Sequence, residues 1–477
     1  MSRRRLLIVL ASLASIAGGA SLMHWLSLSP LQRLVLRTRP TNVKVLVVGI
    51  DGATFRVINP LLAQNALPNF RKLMDTGAHG VLRSEHPMAS PALWTTIATG
   101  RARKDHGIEG FVVFKAPEKP RRGVLVGSAD RKTLALWNIV GPFARDVGFL
   151  GWWASWPAEP VNGWIVSDRF TRERWNEWLG RKKREHTAYP AALMHELQAL
   201  IVEPSDPPMD EIDKLVTLSP GERAEFLAAK KPVFGHGLSV FKYAYCSQRS
   251  YEKMALQLLA QRQPDLTGLF LVANDPVSHC FWHFYEPSEY PQGVDPEKAA
   301  RLGQLVPNFY RHNDLYLGAL LAQVSPETVV FVVSDHGFEA SRQLPLLKVA
   351  PNLFEGPEAE RAAMNGMIAV GQSGKHHVEG VLIAAGGPVR RGVAVNATQY
   401  DIAPTVLALL GLPVPRDMPG RVLDEILDPA FLAAHPVRQI PSYEPLIDRK
   451  AVLAAAEALP GDDEDTQQML RSLGYIQ

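Results

Sequence analysis

Residues 328–338, TVVFVVSDHGF, constrain the fold of this chain more than any other stretch. Five consecutive apolar residues, 329–333, leave no position to face solvent, so the run predicts a strand covered on both faces, as in a parallel sheet. The run stops at Asp335 and His336. In open α/β sheets the carboxyl ends of the strands surround the crevice where ligands bind, which makes these two residues candidates for a site. A second apolar run, VKVLVVGID from residue 43, also ends in an aspartate, Asp51, with Gly52 for a tight exit. A third, over 269–273, is followed by Asp275. Pro276 suits a helix start there, which puts His279 about one turn from Asp275.

The segments between these runs read as helices that return the chain to the sheet. One helix or helix pair is predicted over 59–77, broken by Pro68, before a strand at 80–82. In HPMASPALWTTIATG, residues 86–100, Ser90 reads as an N-cap and Pro91 as the first helical residue, with the helix running to about Ala98 and stopping at Gly100. A serine there lies at the positive end of the helix dipole, which favours an alkoxide or a bound anion. A plain N-cap is the alternative reading. A helix at 133–145 and a strand at 147–153 follow. Residues 157–263 are polar, with a basic cluster at 181–184, and read as an insertion over the sheet edge. Trp152, Trp153, Trp156 and Trp164 read as packing residues. A long helix over 296–323 carries His312 and Asp314 on what reads as an exposed face. His376 and His377 precede a strand at 380–384, and residues 401–415 form a proline-started helix closed by Gly411.

Arg3, Arg4 and Arg5 precede an apolar stretch, 6–28, long enough to span a bilayer as a helix. Gly18 and Ala20 offer a cleavage site, so a secretory signal and a retained anchor are both open, and Arg33, Arg37 and Arg39 favour retention. Either reading implies an exported, periplasmic or extracytoplasmic protein. The expected division is a signal or anchor over 1–29, a linker over 30–42, an α/β core over 43–156 and 264–430, a mainly helical cap over 157–263, and a helical tail over 431–477 with an acidic patch at 462–465. With 51 basic and 48 acidic residues, the charge is too balanced to argue for a nucleic-acid duplex as partner. Cys246 and Cys280 support no disulfide framework and read as free thiols.

Three predicted strands thus lead into Asp51, Asp275 and Asp335, two of them with a histidine close behind. Carboxylates converging on one sheet edge repel unless a cation neutralises them. Mixed oxygen and imidazole donors suit zinc, or manganese as a second choice, better than magnesium or calcium.

The set Asp51, Ser90-Pro91, Asp275-x-x-x-His279, Asp335-His336 and Gly374-x-His376 resembles the alkaline phosphatase superfamily, in its type I phosphodiesterase and nucleotide pyrophosphatase branch. The segments TGRARKDHGI and DIAPTVLALLGLPVP resemble that family as well. The resemblance covers most of residues 43–427, apart from the insertion. It implies a three-layer sandwich with a mostly parallel sheet. It also implies two divalent metals, one held by Asp275, His279 and His376, the other by Asp51, Asp335 and His336 with Ser90 as nucleophile. Lys375 would add positive charge near the site or remain solvated. The implied reaction is hydrolysis of phosphodiester or pyrophosphate bonds in a small-molecule, lipid or nucleotide-like substrate, through a phosphoseryl intermediate. A phosphomonoesterase, a phosphoryl transferase and an inactive tethered binding protein are the alternatives. Leu93 stands where nucleotide pyrophosphatases usually carry an asparagine, and the Cys-x-Pro-x-Arg signature of sulfatases is absent.

Overall fold

The computed structural model describes residues 28–113, 124–171, 186–230, 236–342, 372–449 and 452. The apolar N-terminal run (apart from residue 28), the basic cluster at 181–184 and the acidic patch at 462–465 lie outside the described residues. Among the described residues no helix is long and apolar enough to cross a membrane.

A ten-stranded sheet runs from edge to edge in the order Val393–Ala394, Ala78–Arg83, Glu379–Ala385, Val329–Val333, Val45–Ile50, Leu266–Leu271, Val147–Leu150, Gly163–Val166 and Ala188–Tyr189, with Ala397–Thr398 also pairing Ala78–Arg83. The five strands from Val329–Val333 to Gly163–Val166 pair in parallel. Glu379–Ala385 is antiparallel to both its neighbours. The central strands are buried along their whole length because both of their faces are covered. Leu46, Val48 and Ile50 join one apolar cluster with the Gly237–Gln261, Asn274–Tyr285 and Leu305–Gln323 helices, whereas Val45 and Val47 join a second with Ser90–Thr99 and Ile402–Leu409. The alternation of side chains along a strand therefore builds two cores, and the result is the expected three-layer α/β sandwich with a mostly parallel sheet.

One close approach fixes the Ser90–Thr99 helix on the sheet. Gly49 lies under the Trp94 indole, and a Cβ there would stand 2.5 Å from Trp94 Cζ3. Trp94 is fully buried, edge-on to Trp152 and Phe270, so the helix and the first strand meet in one orientation. Trp152, Trp153, Trp156 and Trp164 are all buried, as packing residues would be.

Several elements differ from the sequence reading, each for a local reason. The third strand is Leu266–Leu271 rather than 269–273, and Val272 and Ala273 form the turn into the next helix. The helix expected over 133–145 shortens to Leu136–Val140, because Gly141-Pro142 turns it into a 3-10 segment, Gly141–Phe143. The helix expected over 296–323 divides into Pro296–Leu302 and Leu305–Gln323 at Gly303, which packs against the Phe284 carbonyl where a Cβ would not fit. The expected linker contains a helix, Pro30–Arg37, started by a Ser29 capping box.

The expected cap boundary also shifts, since Gly163–Val166 and Ala188–Tyr189 extend the main sheet. Gly237–Gln261 is a core helix whose polar texture comes from buried, satisfied side chains. Lys242 donates to the Leu227 and Ala229 carbonyls, and Gln248 donates to Glu252 and Asn313. In the expected C-terminal tail, Gln439–Ile440 pairs with Val414–Pro415, and Tyr443 and Ile447 are buried in the second core. Cys246 and Cys280 are free.

Candidate metal centre

Three adjacent parallel strands, Val329–Val333, Val45–Ile50 and Leu266–Leu271, bring their carboxyl ends to one edge. Asp51 and Asp335 come directly off two of these ends, and Asp275 follows in the first turn of Asn274–Tyr285. Because Glu379–Ala385 runs antiparallel to them, its beginning lies at this edge, and the hairpin of Gly337–Ala340 with Gly374–His377 delivers His376 there. The loop after Ala78–Arg83 leads to the start of the serine helix at the same edge.

Ala89, not Ser90, is the N-cap of that helix, and Ser90 is its first residue with no capping bond. The hydroxyl instead points to the carboxylates, with Ser90 Oγ donating to Asp51 Oδ1 at 3.4 Å. Asp275 Oδ1 lies 3.1 Å from His376 Nε2, 3.4 Å from His279 Nε2 and 3.7 Å from His336 Nε2. His336 Nε2 is also 3.4 Å from Asp51 Oδ1 and 3.6 Å from Asp335 Oδ2. Two groups have ligand atoms within 4.8 Å of one another, Asp275 with His279 and His376, and Asp51 with Asp275 and His336. Asp275 is common to both, and Asp335 adjoins the second through His336.

The three imidazoles are oriented alike. Nδ1 of His279 faces the Gly374 carbonyl at 2.8 Å, that of His336 the Gly337 carbonyl at 3.1 Å, and that of His376 the Met88 carbonyl at 3.0 Å. A carbonyl only accepts, so each Nδ1 carries a proton, and Nε2 is the ring atom turned inward. The Nε2 atoms of His279 and His376 are 2.8 Å apart. Asp275 Oδ2, Asp335 Oδ2 and His336 Nε2 are buried with no hydrogen-bond partner among the described residues. Burial, then the charges of Asp335 and Asp275, holds the Asp51 carboxyl well above its usual range. Burial pushes Asp335 up to about 8, and the charge of Asp275 adds to it. Burial would raise Asp275 too, but the flanking His279 and His376 outweigh it and keep that carboxyl low. Burial lowers both His336 and His376 from the ordinary imidazole range. Buried carboxylate oxygens without a partner beside inward-facing imidazoles are the electrostatics of a cation site, and backbone carbonyls holding Nδ1–H are how proteins orient histidine ligands.

Lys375 points away from the cluster. Neighbours on a strand face opposite sides, and Lys375, 56% exposed, pairs with Glu339 at 3.0 Å. His377 also lies outside both groups. Asp314 is buried rather than on the surface, accepting the Asn69 and Phe70 amides at the start of Pro68–Thr76, and His312 pairs with the buried Glu252.

A further set of residues supports the site without any signal in sequence spacing. Gln248 accepts the Ala273 amide just before Asp275, and Gln399 donates to the Asp335 carbonyl. Tyr310 accepts the Thr54 amide, and Ser334 bonds both Ala53 and His336.

The site is thus a set of convergent carboxylates and imidazoles at the strand ends of a parallel sheet, beside a helix-start serine. The chain belongs to the type I phosphodiesterase / nucleotide pyrophosphatase family, which matches residues 45–365. Among curated proteins no sequence matches. Similar solved structures include murine ectonucleotide pyrophosphatase / phosphodiesterase 5, at 13% identity and a TM-score of 0.46, covering 81% of this chain and 100% of that one. The human protein of the same name has 15% identity and a TM-score of 0.42, covering 80% of this chain and 99% of its own. Phosphonoacetate hydrolase from Sinorhizobium meliloti 1021, solved with phosphonoformate, has 12% identity and a TM-score of 0.41, covering 77% and 95%.

Proposed function

We propose that this chain is a two-metal hydrolase of phosphodiester or pyrophosphate bonds that works through a phosphoseryl intermediate on Ser90. The observation that carries this reading is the Ser90 hydroxyl, free of capping and 3.4 Å from Asp51 Oδ1, at the rim of a cluster of inward-facing carboxylates and imidazoles. Asp275, His279 and His376 would hold one cation, and Asp51, Asp335 and His336 the other, with Asp275 Oδ1 between them. The mixed donor set favours zinc. Such a pair of cations supplies a lowered pKa for a bound hydroxyl and charge neutralisation for the transferred phosphoryl group.

The chain's own residues do the rest. Ser90 holds its oxygen at the positive end of the Ser90–Thr99 dipole, where developing negative charge is stabilised. Its oxygen attacks phosphorus as the leaving oxygen departs, and water then cleaves the phosphoserine. The fixed imidazole tautomers and the burial of Asp51, Asp275, Asp335 and His336 keep the donors aimed and exclude bulk water. We also propose that the chain is exported and tethered through residues 6–28, a reading supported by the three arginines before them.

The experiment is metal analysis of the purified protein followed by turnover of bis-p-nitrophenyl phosphate, p-nitrophenyl phosphate and a sulfate ester. The diester is expected to be hydrolysed best, and Ser90→Ala to abolish its turnover. Undiminished diesterase activity in Ser90→Ala would refute the nucleophile, and a preference for the monoester would refute the diester assignment. Cell fractionation tests the tether.

A further inference from the structure

Resting on the two-metal reading above, we infer that Ser334 is a positioning residue that locks the Asp51 turn to the Asp335–His336 turn and so sets the affinity of the cation site these residues form. The Ser334 side chain is fully buried, and its hydroxyl makes two bonds at once. It accepts the Ala53 amide at 2.8 Å and donates to the His336 carbonyl at 2.7 Å. Ala53 lies two residues beyond Asp51, so one hydroxyl joins the exits of two adjacent strands that each supply ligands.

Ser334 is itself held on its backbone side. Ser334 donates its own amide to the Val381 carbonyl, and its carbonyl packs against Gly380 so closely that a Cβ there would be 2.4 Å away. Gly52, by contrast, has φ +68, a conformation that leaves the Asp51 turn dependent on outside contacts. The Gly52 amide reaches Asp335 Oδ1 only at 3.5 Å, so the 2.8 Å bond from Ala53 is the shorter link between the two turns. On the other side, His336 Nδ1 bonds the neighbouring Gly337 carbonyl, so the ring's aim follows the turn that Ser334 holds. With one bond given and one received by a group that touches no substrate atom, the role of Ser334 is orientation.

The second core contains a control with the same hydrogen-bond chemistry that joins no element of either ligand group. Thr405 Oγ1 donates to the Asp401 carbonyl at 2.6 Å and accepts the Leu423 amide at 3.0 Å, also fully buried. Metal-free full-length protein is titrated with cobalt(II), read by its d–d absorption, and then with zinc in competition. Wild type is expected to bind two ions. Ser334→Ala should weaken one of them by about 10–100-fold, as loss of an orienting partner does, and lower kcat more than it raises KM. Thr405→Val should lose comparable stability in urea with both affinities unchanged, and Ser334→Thr, which keeps the hydroxyl, should restore binding. If Ser334→Ala does not fold, Ser334→Cys is expected to show a smaller weakening of the same ion. Unchanged affinities in the Ser334→Ala or Ser334→Cys protein overturn the inference, as does equal weakening in Thr405→Val. A wild-type protein that takes up no cobalt overturns the two-metal reading itself, and the inference with it.

Discussion

Substituting Gly49 by alanine tests whether the contact between the first strand and the serine helix sets the geometry of the site. The added Cβ would lie 2.5 Å from Trp94 Cζ3 and 2.7 Å from Cη2. Carbon atoms rest roughly 3.5–4.0 Å apart, so strand and helix must separate by about 1 Å. The indole cannot turn aside. It stands edge-on to Trp152 at 5.2 Å and Phe270 at 4.9 Å, and its own residue's carbonyl accepts Trp152 Nε1–H at 3.0 Å. Overpacking of this kind costs about 1–3 kcal/mol, which urea unfolding measures. The catalytic effect should be larger in proportion. Trp94 lies one helical turn from Ser90 and Gly49 two residues before Asp51, so the displacement falls between nucleophile and carboxylate, where about 1 Å costs on the order of 100-fold in rate. Turnover of bis-p-nitrophenyl phosphate reads this directly. Trp94→Phe removes the outer indole ring, so the double variant should recover turnover relative to Gly49→Ala alone, a coupling a double-mutant cycle detects. Wild-type stability and turnover in Gly49→Ala, or strict additivity in the double variant, would refute the reasoning.

Other outcomes follow from groups described above. Arg131 and Glu159 form a fully buried pair at 2.8 Å, and Glu159 also accepts the Trp137 indole N–H, so Glu159→Ala should lose about 3–5 kcal/mol in urea unfolding by stranding the guanidinium. Burial, then the nearby Arg103, Arg131 and Arg101, lowers His106 to about 3, so the folded state holds it neutral. The unfolded chain binds that proton near pH 6.5 and the folded chain does not. Stability from this group is therefore whole above pH 6.5 and falls, by on the order of 5 kcal/mol, as pH drops toward 3. Urea midpoints across that range should show the slope in wild type and a smaller one in His106→Gln. Chelation should lower the Tm, because cations that bind only the folded state stabilise it by about 4 kcal/mol at a thousandfold excess over Kd. A Tm indifferent to chelator and to added zinc would count against the cation site.

The sheet edge was legible in the sequence because its physics is local. A strand buried on both faces has to be continuously apolar, so the break at Asp51 and at Ser334-Asp335 stood out, and Pro276 marked the helix that carries Asp275 and His279. What supports these residues was not legible. Ser334, Gln399, Tyr310 and Gln248 each hold a backbone group from a distant part of the chain, and no periodicity records such a partner. The same holds for Asp314, whose acidic side chain suggested a solvent face but caps a helix from a distant segment. Gly237–Gln261 misled for the opposite reason. Several of its polar residues, Lys242, Gln248 and Glu252 among them, are inside and hydrogen-bonded, and composition alone does not distinguish a satisfied buried glutamine from a solvated one.

The position of Val45–Ile50 in the middle of the sheet has a consequence for how the chain is made. Its two ladder partners are Leu266–Leu271 and Val329–Val333, so the first core strand to leave the ribosome has no native neighbour until residues 266–271 have followed. Both of its edges stay open through that interval, and pairing them closes two long loops, which makes folding slow and aggregation-prone. Asp51 meets its companions only after that closure, so the site assembles last, once His376 has joined from beyond the third of these strands. A holdase that shields an extended apolar strand during synthesis would act on this segment first.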